Sequence, residues 1–171
     1  ILTRILAGFD GTSEMTSALG YLVPVAAITM SIAILLDSRL AIFIAVILGI
    51  YNGLVNGSEL QFAVFSIVGG VTGVYSVSHL AERGDLMRAS LYIMFANVVT
   101  ALAIGFMLGF SWTKLAIVIL FSIANGLISS VVTIGTLPFL ETAFGLTTSS
   151  KLLELSNPNQ PILRRLLMEA P

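Results

Sequence analysis

Apolar residues run along this chain in five blocks that no charged residue interrupts: Met15 to Leu36, Leu40 to Ser58, Leu60 to Ala81, Ala89 to Thr113 and Leu115 to Leu140. The blocks hold 22, 19, 22, 25 and 26 residues, and a helix needs about 20 apolar residues to cross the hydrocarbon of a bilayer. Each block is therefore predicted as one membrane span. No polar stripe persists within them at helical spacing, so the water-facing side that a soluble bundle requires is missing. Ile1 to Phe9 are apolar but too short to cross, and they predict the end of an earlier helix. The expected fold is all-α, a polytopic helical membrane bundle of five full spans plus the end of an earlier one, followed by a short amphipathic C-terminal tail.

Composition agrees with lipid as the solvent: 57% of the 171 residues are hydrophobic and 10% are charged, against about 25% charged in an average soluble domain. The chain divides into three regions. Residues 1–17 are expected to hold the end of a preceding span and an outer loop, 18–146 the transmembrane helical domain, and 147–171 a cytoplasmic juxtamembrane linker. The start at Ile1 and the uncapped finish at Pro171 predict a piece of a longer protein. With no cysteine, disulfides and thiolate metal sites are excluded. A net charge of -1 leaves no basic footprint for a nucleic-acid polymer.

The few basic residues set an orientation. With the tail in the cytoplasm, Arg39, Arg83, Arg88, Lys151, Arg164 and Arg165 fall inside, six of the eight Lys and Arg. Short loops obey this bias. The expected protein is thus a multi-pass membrane protein with its C-terminus in the cytoplasm and Arg4, Asp10, Glu14, Glu59 and Lys114 outside. Asn52-Gly53 and Asn56-Gly57 read as turn and helix-end chemistry.

Within the membrane, Gly69, Gly70 and Gly73 on the third block, and Gly105 with Gly109 on the fourth, are small enough to let helices approach. Asn97 and Asn125, the latter with Ser129 and Ser130, read as interhelical hydrogen bonding. No Asp, Glu or His stands at mid-depth, which argues against a proton or ion pump. Pro138 removes one helix hydrogen bond and should kink or end the fifth span. Glu141 follows it, either as an interfacial carboxylate in water or as a contact to the cytoplasmic side with Arg83 or Arg88 as partner. His79 is the single histidine, which cannot make a multi-histidine metal site.

The tail has its own pattern. Thr147 to Ser150 offer helix caps before Leu152 and Leu153, and Pro158 and Pro161 interrupt any helix begun there. Beyond them Leu163, Leu166 and Leu167 share one helical face, with Arg164 and Arg165 towards another. Such a segment lies on the inner leaflet or docks on a domain. Pro138, Glu141, Leu152, Leu153, Arg164 and Arg165 are the expected elements of a relay.

Leu137-Pro-Phe-Leu-Glu-Thr-Ala-Phe-Gly-Leu-Thr-Thr, Leu152-Leu-Glu-Leu-Ser-Asn-Pro-Asn-Gln-Pro and Arg164-Arg-Leu-Leu-Met-Glu-Ala-Pro closely resemble the junction of the seven-transmembrane receptors with an intracellular HD hydrolase domain. Val23-Pro-Val-Ala-Ala-Ile-Thr-Met, Leu35-Leu-Asp-Ser-Arg-Leu-Ala and Arg83-Gly-Asp-Leu-Met-Arg-Ala extend the likeness from about Leu22 onward. The resemblance implies an extracellular domain, seven spans of which the last five lie here, and a cytoplasmic HD domain. Members are similar to bacterial cyclic-di-AMP phosphodiesterases with a two-metal centre. Their catalytic His and Asp residues would come after Pro171, so the resemblance carries no catalytic, cofactor-binding or metal-ligating residue onto this chain, and two divalent metals are expected in the HD domain.

Two other functions fit the same pattern. A small-molecule-binding membrane subunit of a transporter would have similar size and hydrophobicity, and predicts a polar pocket between spans. A bare anchor would carry no signal. The reading favoured by the resemblance is a sensor and anchor module whose partners are the bilayer, the extracellular and cytoplasmic domains of the same protein, and a second copy in a homodimer.

Overall fold

A computed structural model describes residues 18–78 and 85–144. A 3-10 turn over Leu19–Leu22 leads into α1 (Val25–Leu35), α2 (Ser38–Val55), α3 (Leu60–Ser78), α4 (Asp85–Leu108) and α5 (Trp112–Phe144). No strand occurs among the described residues. Four helices, α2 to α5, are long and apolar enough to cross a membrane, and the chain is a multi-pass membrane protein. The expected end of an earlier span at Ile1–Phe9 lies outside the described residues.

The first expected span differs from its neighbours. Leu19–Leu35 is apolar, but at 17 residues it stands at the lower limit for crossing, and it is broken. Val23 and Pro24 leave the helix, with Val23 extended at φ -62°, ψ 113°. Pro24 explains the break: it has no N–H to continue the ladder, its ring clashes with a preceding carbonyl, and it drives the residue before it out of helical conformation.

The buried faces invert the rule for water-soluble helices. On α2 the inward positions are Ala41, Ala45, Gly49, Asn52 and Gly53, whereas Phe43, Ile47, Ile50, Tyr51 and Leu54 face outward. Hydrocarbon gives large side chains no reason to hide, so the helices meet where small residues let their backbones approach. The glycines of α3 show the closeness. A β-carbon at Gly69 would lie 2.6 Å from Asn97 Oδ1, at Gly70 3.0 Å from Ala45 Cβ, and at Gly73 3.0 Å from Met30 Cγ. α3 thus touches α4, α2 and α1 along one run of five residues. Between α4 and α5 the approach is to backbone, since a β-carbon at Gly126 would lie 2.9 Å from the Met94 nitrogen and 3.1 Å from its Cα. Gly126→Leu should therefore separate these helices and lower stability by about 1–3 kcal/mol, the usual cost of overpacking, read as the shift in thermal unfolding of the detergent-solubilised protein.

Two apolar clusters form the interior. One gathers Tyr21, Phe62, Phe65, Ala101, Ile104 and Val118, with the Tyr21 ring 4.9 Å from both phenyl rings. The other gathers Ala26, Met30, Val77, Ala89 and Ile93.

Turn chemistry matches the sequence in part. Gly57 and Ser58 adopt positive φ between α2 and α3. Asn52 and Gly53, expected as turn or helix-end residues, lie instead inside α2 and are buried. Gly109, expected as a packing residue, ends α4: it has φ +63°, and the Phe110 N–H bonds the Gly105 carbonyl at 2.9 Å, the pattern of a left-handed helix stop.

Candidate functional site

Breaking a helix inside a bilayer frees backbone groups that neither lipid nor water can satisfy. The break at Val23–Pro24 is met by side-chain amides from other helices. Asn125 of α5 donates through Nδ2 to the carbonyls of Tyr21 at 3.0 Å and Val23 at 2.9 Å. Asn97 of α4 donates to Asn125 Oδ1 at 3.1 Å, which fixes the amide facing the break. From α2, Asn52 donates to the Gly20 carbonyl at 3.1 Å and to Ser66 Oγ on α3 at 2.8 Å. Asn56, one turn further, donates to both oxygens of Asn52 at 2.8 Å.

This polar layer lies between the two apolar clusters. On α3, Ser66 and Gly69 follow Phe65 and precede Val77; on α4, Asn97 falls between Ile93 and Ala101. Hydroxyls continue it along α1. Thr29 Oγ1 bonds the Gly70 carbonyl at 3.1 Å, an approach open because Gly70 has no side chain. Thr133 Oγ1 of α5 bonds the Ala27 carbonyl at 3.3 Å. Asn97 Oδ1, Ser129 Oγ and Ser130 Oγ are buried with no hydrogen-bond partner among the described residues.

These groups hold position and do little else. Amides and hydroxyls neither exchange protons near neutral pH nor act unaided as nucleophiles, and the amide hydrogens point at the freed carbonyls, where a cation would have to bind. The space bounded by Val23, Ser66, Gly69, Asn97 and Asn125 has no room for a water-sized molecule, against the roughly 300 Å3 at which small-molecule pockets begin. Among the described residues no group of three or more His, Cys, Asp and Glu could hold a metal ion.

Two of the expected relay residues, Pro138 and Glu141, fall at the far end of α5. This helix has 33 residues and continues six residues past Pro138, so the proline does not end it. Pro138 faces outward, while Glu141 is only 3% exposed and thus not a carboxylate in open water. At 1.5 Å per residue α5 is about 50 Å long, against a hydrocarbon core of about 30 Å. His79, Arg83, Leu152, Leu153, Arg164 and Arg165 lie outside the described residues.

Sequence reasoning singled out Asn97 and Asn125 but not what they serve. The signal was Pro24, standing in the middle of an apolar block, which marks a helix break as surely as Pro138 marks a perturbation. Asn52, Ser66, Thr29 and Thr133 become candidates once a break is supposed, because freed carbonyls require donors.

Comparison with known proteins places this geometry. A family model described as the 7TM receptor with intracellular HD hydrolase matches residues 1–148. A protein of Bacillus subtilis named cyclic-di-AMP phosphodiesterase PgpH is 34% identical over 161 residues, covering 90% of this chain and 23% of that protein. Its namesake in Listeria monocytogenes is 29% identical over 157 residues, covering 90% and 22%. An uncharacterised Synechocystis protein is 52% identical over 46 residues, which is 27% of this chain and 6% of that one. The chain therefore spans under a quarter of the length of its curated phosphodiesterase relatives. No solved structure matches. Five apolar helices, a polar layer without reactive groups, and a match running from the first residue to beyond the end of α5 have one consistent reading: the chain belongs to the 7TM receptor family with intracellular HD hydrolase.

Proposed function

We propose that this chain is the membrane module of a phosphodiesterase acting on cyclic-di-AMP, anchoring a cytoplasmic HD domain and passing to it a signal received outside. The observation that carries the relay is α5, a single helix that crosses the bundle, touches the broken first span through Asn125 and Thr133, and extends well past the hydrocarbon thickness to Phe144. Movement near the 3-10 turn has a continuous rigid path towards residues 145–171. Glu141, buried at the end of that path, and Pro138, one turn before it, are placed to set the direction of the exit.

The reading that puts residues 145–171 in the cytoplasm rests on the bias of Lys and Arg, six of the eight (Arg39, Arg83, Arg88, Lys151, Arg164 and Arg165) falling on that side against Arg4 and Lys114 on the other. The relatives' names support the substrate. Hydrolysis would belong to the HD domain, where two divalent metals would supply the hydroxide and charge stabilisation. A homodimer would bring two such domains together. The transporter reading needs converging polar groups in an open pocket, and the amides here are occupied by the break.

The test is hydrolysis of cyclic-di-AMP by purified protein in detergent or nanodiscs. The full-length protein is expected to release a linear dinucleotide, while residues 1–171 alone release none. Turnover by residues 1–171, or an inert full-length protein loaded with divalent metal, would refute the proposal.

A further inference from the structure

At the end of the bundle where α2 gives way to α3 and α4 to α5, a cleft of about 840 Å3 runs between α3 and α4. Its walls are apolar, with Leu60 and Val64 on one side and Val99, Ala103 and Met107 on the other. Its mouth is not. Glu59, Gln61, Phe110 and Lys114 surround the opening. The Lys114 ammonium stands 4.2 Å from the centre of the Phe110 ring, which steadies the cation against the rim. Glu59 accepts a hydrogen bond from Gln61, and Gln61 in turn accepts from the Tyr21 hydroxyl at 3.1 Å, so the carboxylate is tied to the buried aromatic cluster.

Glu59 and Lys114 are opposite charges on one opening, yet among the described residues no ion pair joins them. Each is left to meet a charge supplied from elsewhere. Below them the slot runs along α4 from Leu108 to Val99, about 13 Å at 1.5 Å per residue, and its flanks are large apolar side chains, Val64, Val99 and Met107, exposed on the outside of the described helices. A water-soluble metabolite would gain nothing from those walls. A wholly anionic amphiphile would satisfy Lys114 but oppose Glu59.

We propose that this cleft binds a zwitterionic phospholipid of the bilayer, its ammonium on Glu59, its phosphate on Lys114 and one acyl chain in the slot between Val64 and Ala103. The complementarity lies in the pair of charges. Phosphatidylethanolamine presents both, whereas phosphatidylglycerol, with the same chains, presents only the phosphate.

The full-length protein in detergent is titrated with either lipid at matched acyl composition, and bound lipid is counted by native mass spectrometry while thermal unfolding is tracked in parallel. Phosphatidylethanolamine is expected to bind several-fold more tightly than phosphatidylglycerol and to raise the unfolding temperature more. The double variant Glu59→Gln, Lys114→Gln should keep its lipid-free unfolding temperature and lose the preference. Ala103→Trp, which fills the slot, should lose binding of both. Equal binding of the two lipids by the unaltered protein, or a preference that survives the double variant, overturns the proposal.

Discussion

Asn125→Leu is expected to destabilise the bundle by about 3 kcal/mol, more than any other single polar replacement in the polar layer. Leucine has the same branched heavy-atom skeleton as asparagine, so the change opens no cavity, and the crowding from its bulkier methyls recurs in the Asn97→Leu control, which leaves hydrogen bonding as the difference between the two. Three bonds are lost: those to the carbonyls of Tyr21 and Val23, and the one accepted from Asn97. Single interhelical bonds in membranes average only about 0.6 kcal/mol, because a membrane-embedded unfolded chain finds other partners. The carbonyls at a helix break are different. Lipid has no donor for them, and although the Val23 carbonyl keeps the Val25 N–H at 2.9 Å, the Tyr21 carbonyl loses its donor, at a cost of about 1–3 kcal/mol for a buried acceptor left unpaired. Asn97→Leu is the control. It removes one bond and at the same time deletes an acceptor, Asn97 Oδ1, that has no partner among the described residues, so its cost should be about 1 kcal/mol. Unfolding of the two variants in mixed micelles measures the difference, about 2 kcal/mol or some thirtyfold in the equilibrium constant. If the two variants unfold alike, the amide of Asn125 does not close the break.

How much of this is legible in the sequence depends on what lipid does to a sequence pattern. Helix existence is easy to read, because charge-free blocks of spanning length have few other uses; α2 to α5 fall inside blocks drawn from charges alone, except that α2 and α4 begin, and α5 begins and ends, a few residues beyond them. Facing is not. Where both sides of a helix are apolar, periodicity carries no direction, and the buried side must be found from small residues: Ala41, Ala45 and Gly49 mark the inner face of α2 as Leu and Ile would in water. The polar layer is only half visible. Asn97 and Asn125 stand out as polar residues in apolar blocks, but Asn52 is hidden by its glycine neighbour, since Asn-Gly is a turn signal in water and a close-packing position with an amide here. The first span shows the same thing at a larger scale. Hydropathy counts residues and so gives Met15 to Leu36 the length of a full crossing, while Pro24 spends part of that length on a break.

Inserting one alanine after Ala143 in the full-length protein is expected to change cyclic-di-AMP hydrolysis several-fold, if α5 transmits as a rigid rod. One added residue turns everything beyond it by about 100° and advances it by about 1.5 Å. Placed there, the insertion lies beyond Leu137, Pro138 and Glu141, so the sequence of α5 up to those residues is unaltered. Two residues should be at least as disruptive. Four add a length of about 6 Å yet leave a net rotation of only about 40°, and seven leave about 20° in the opposite sense. Hydrolysis that departs from normal at one and two residues and returns towards it at four and seven tracks angle rather than length, which is the behaviour of torsion carried along a helix. A tether would respond differently: all four insertions should then hydrolyse the dinucleotide at the unaltered rate, and the relay would fall while the anchor stood. Pro138→Ala separates the remaining case. Restoring the missing N–H lets residue 138 bond the Ile134 carbonyl and stiffens the last turns of α5, so a rod-like relay should gain coupling. In the anchored-tether case the same substitution changes stability alone.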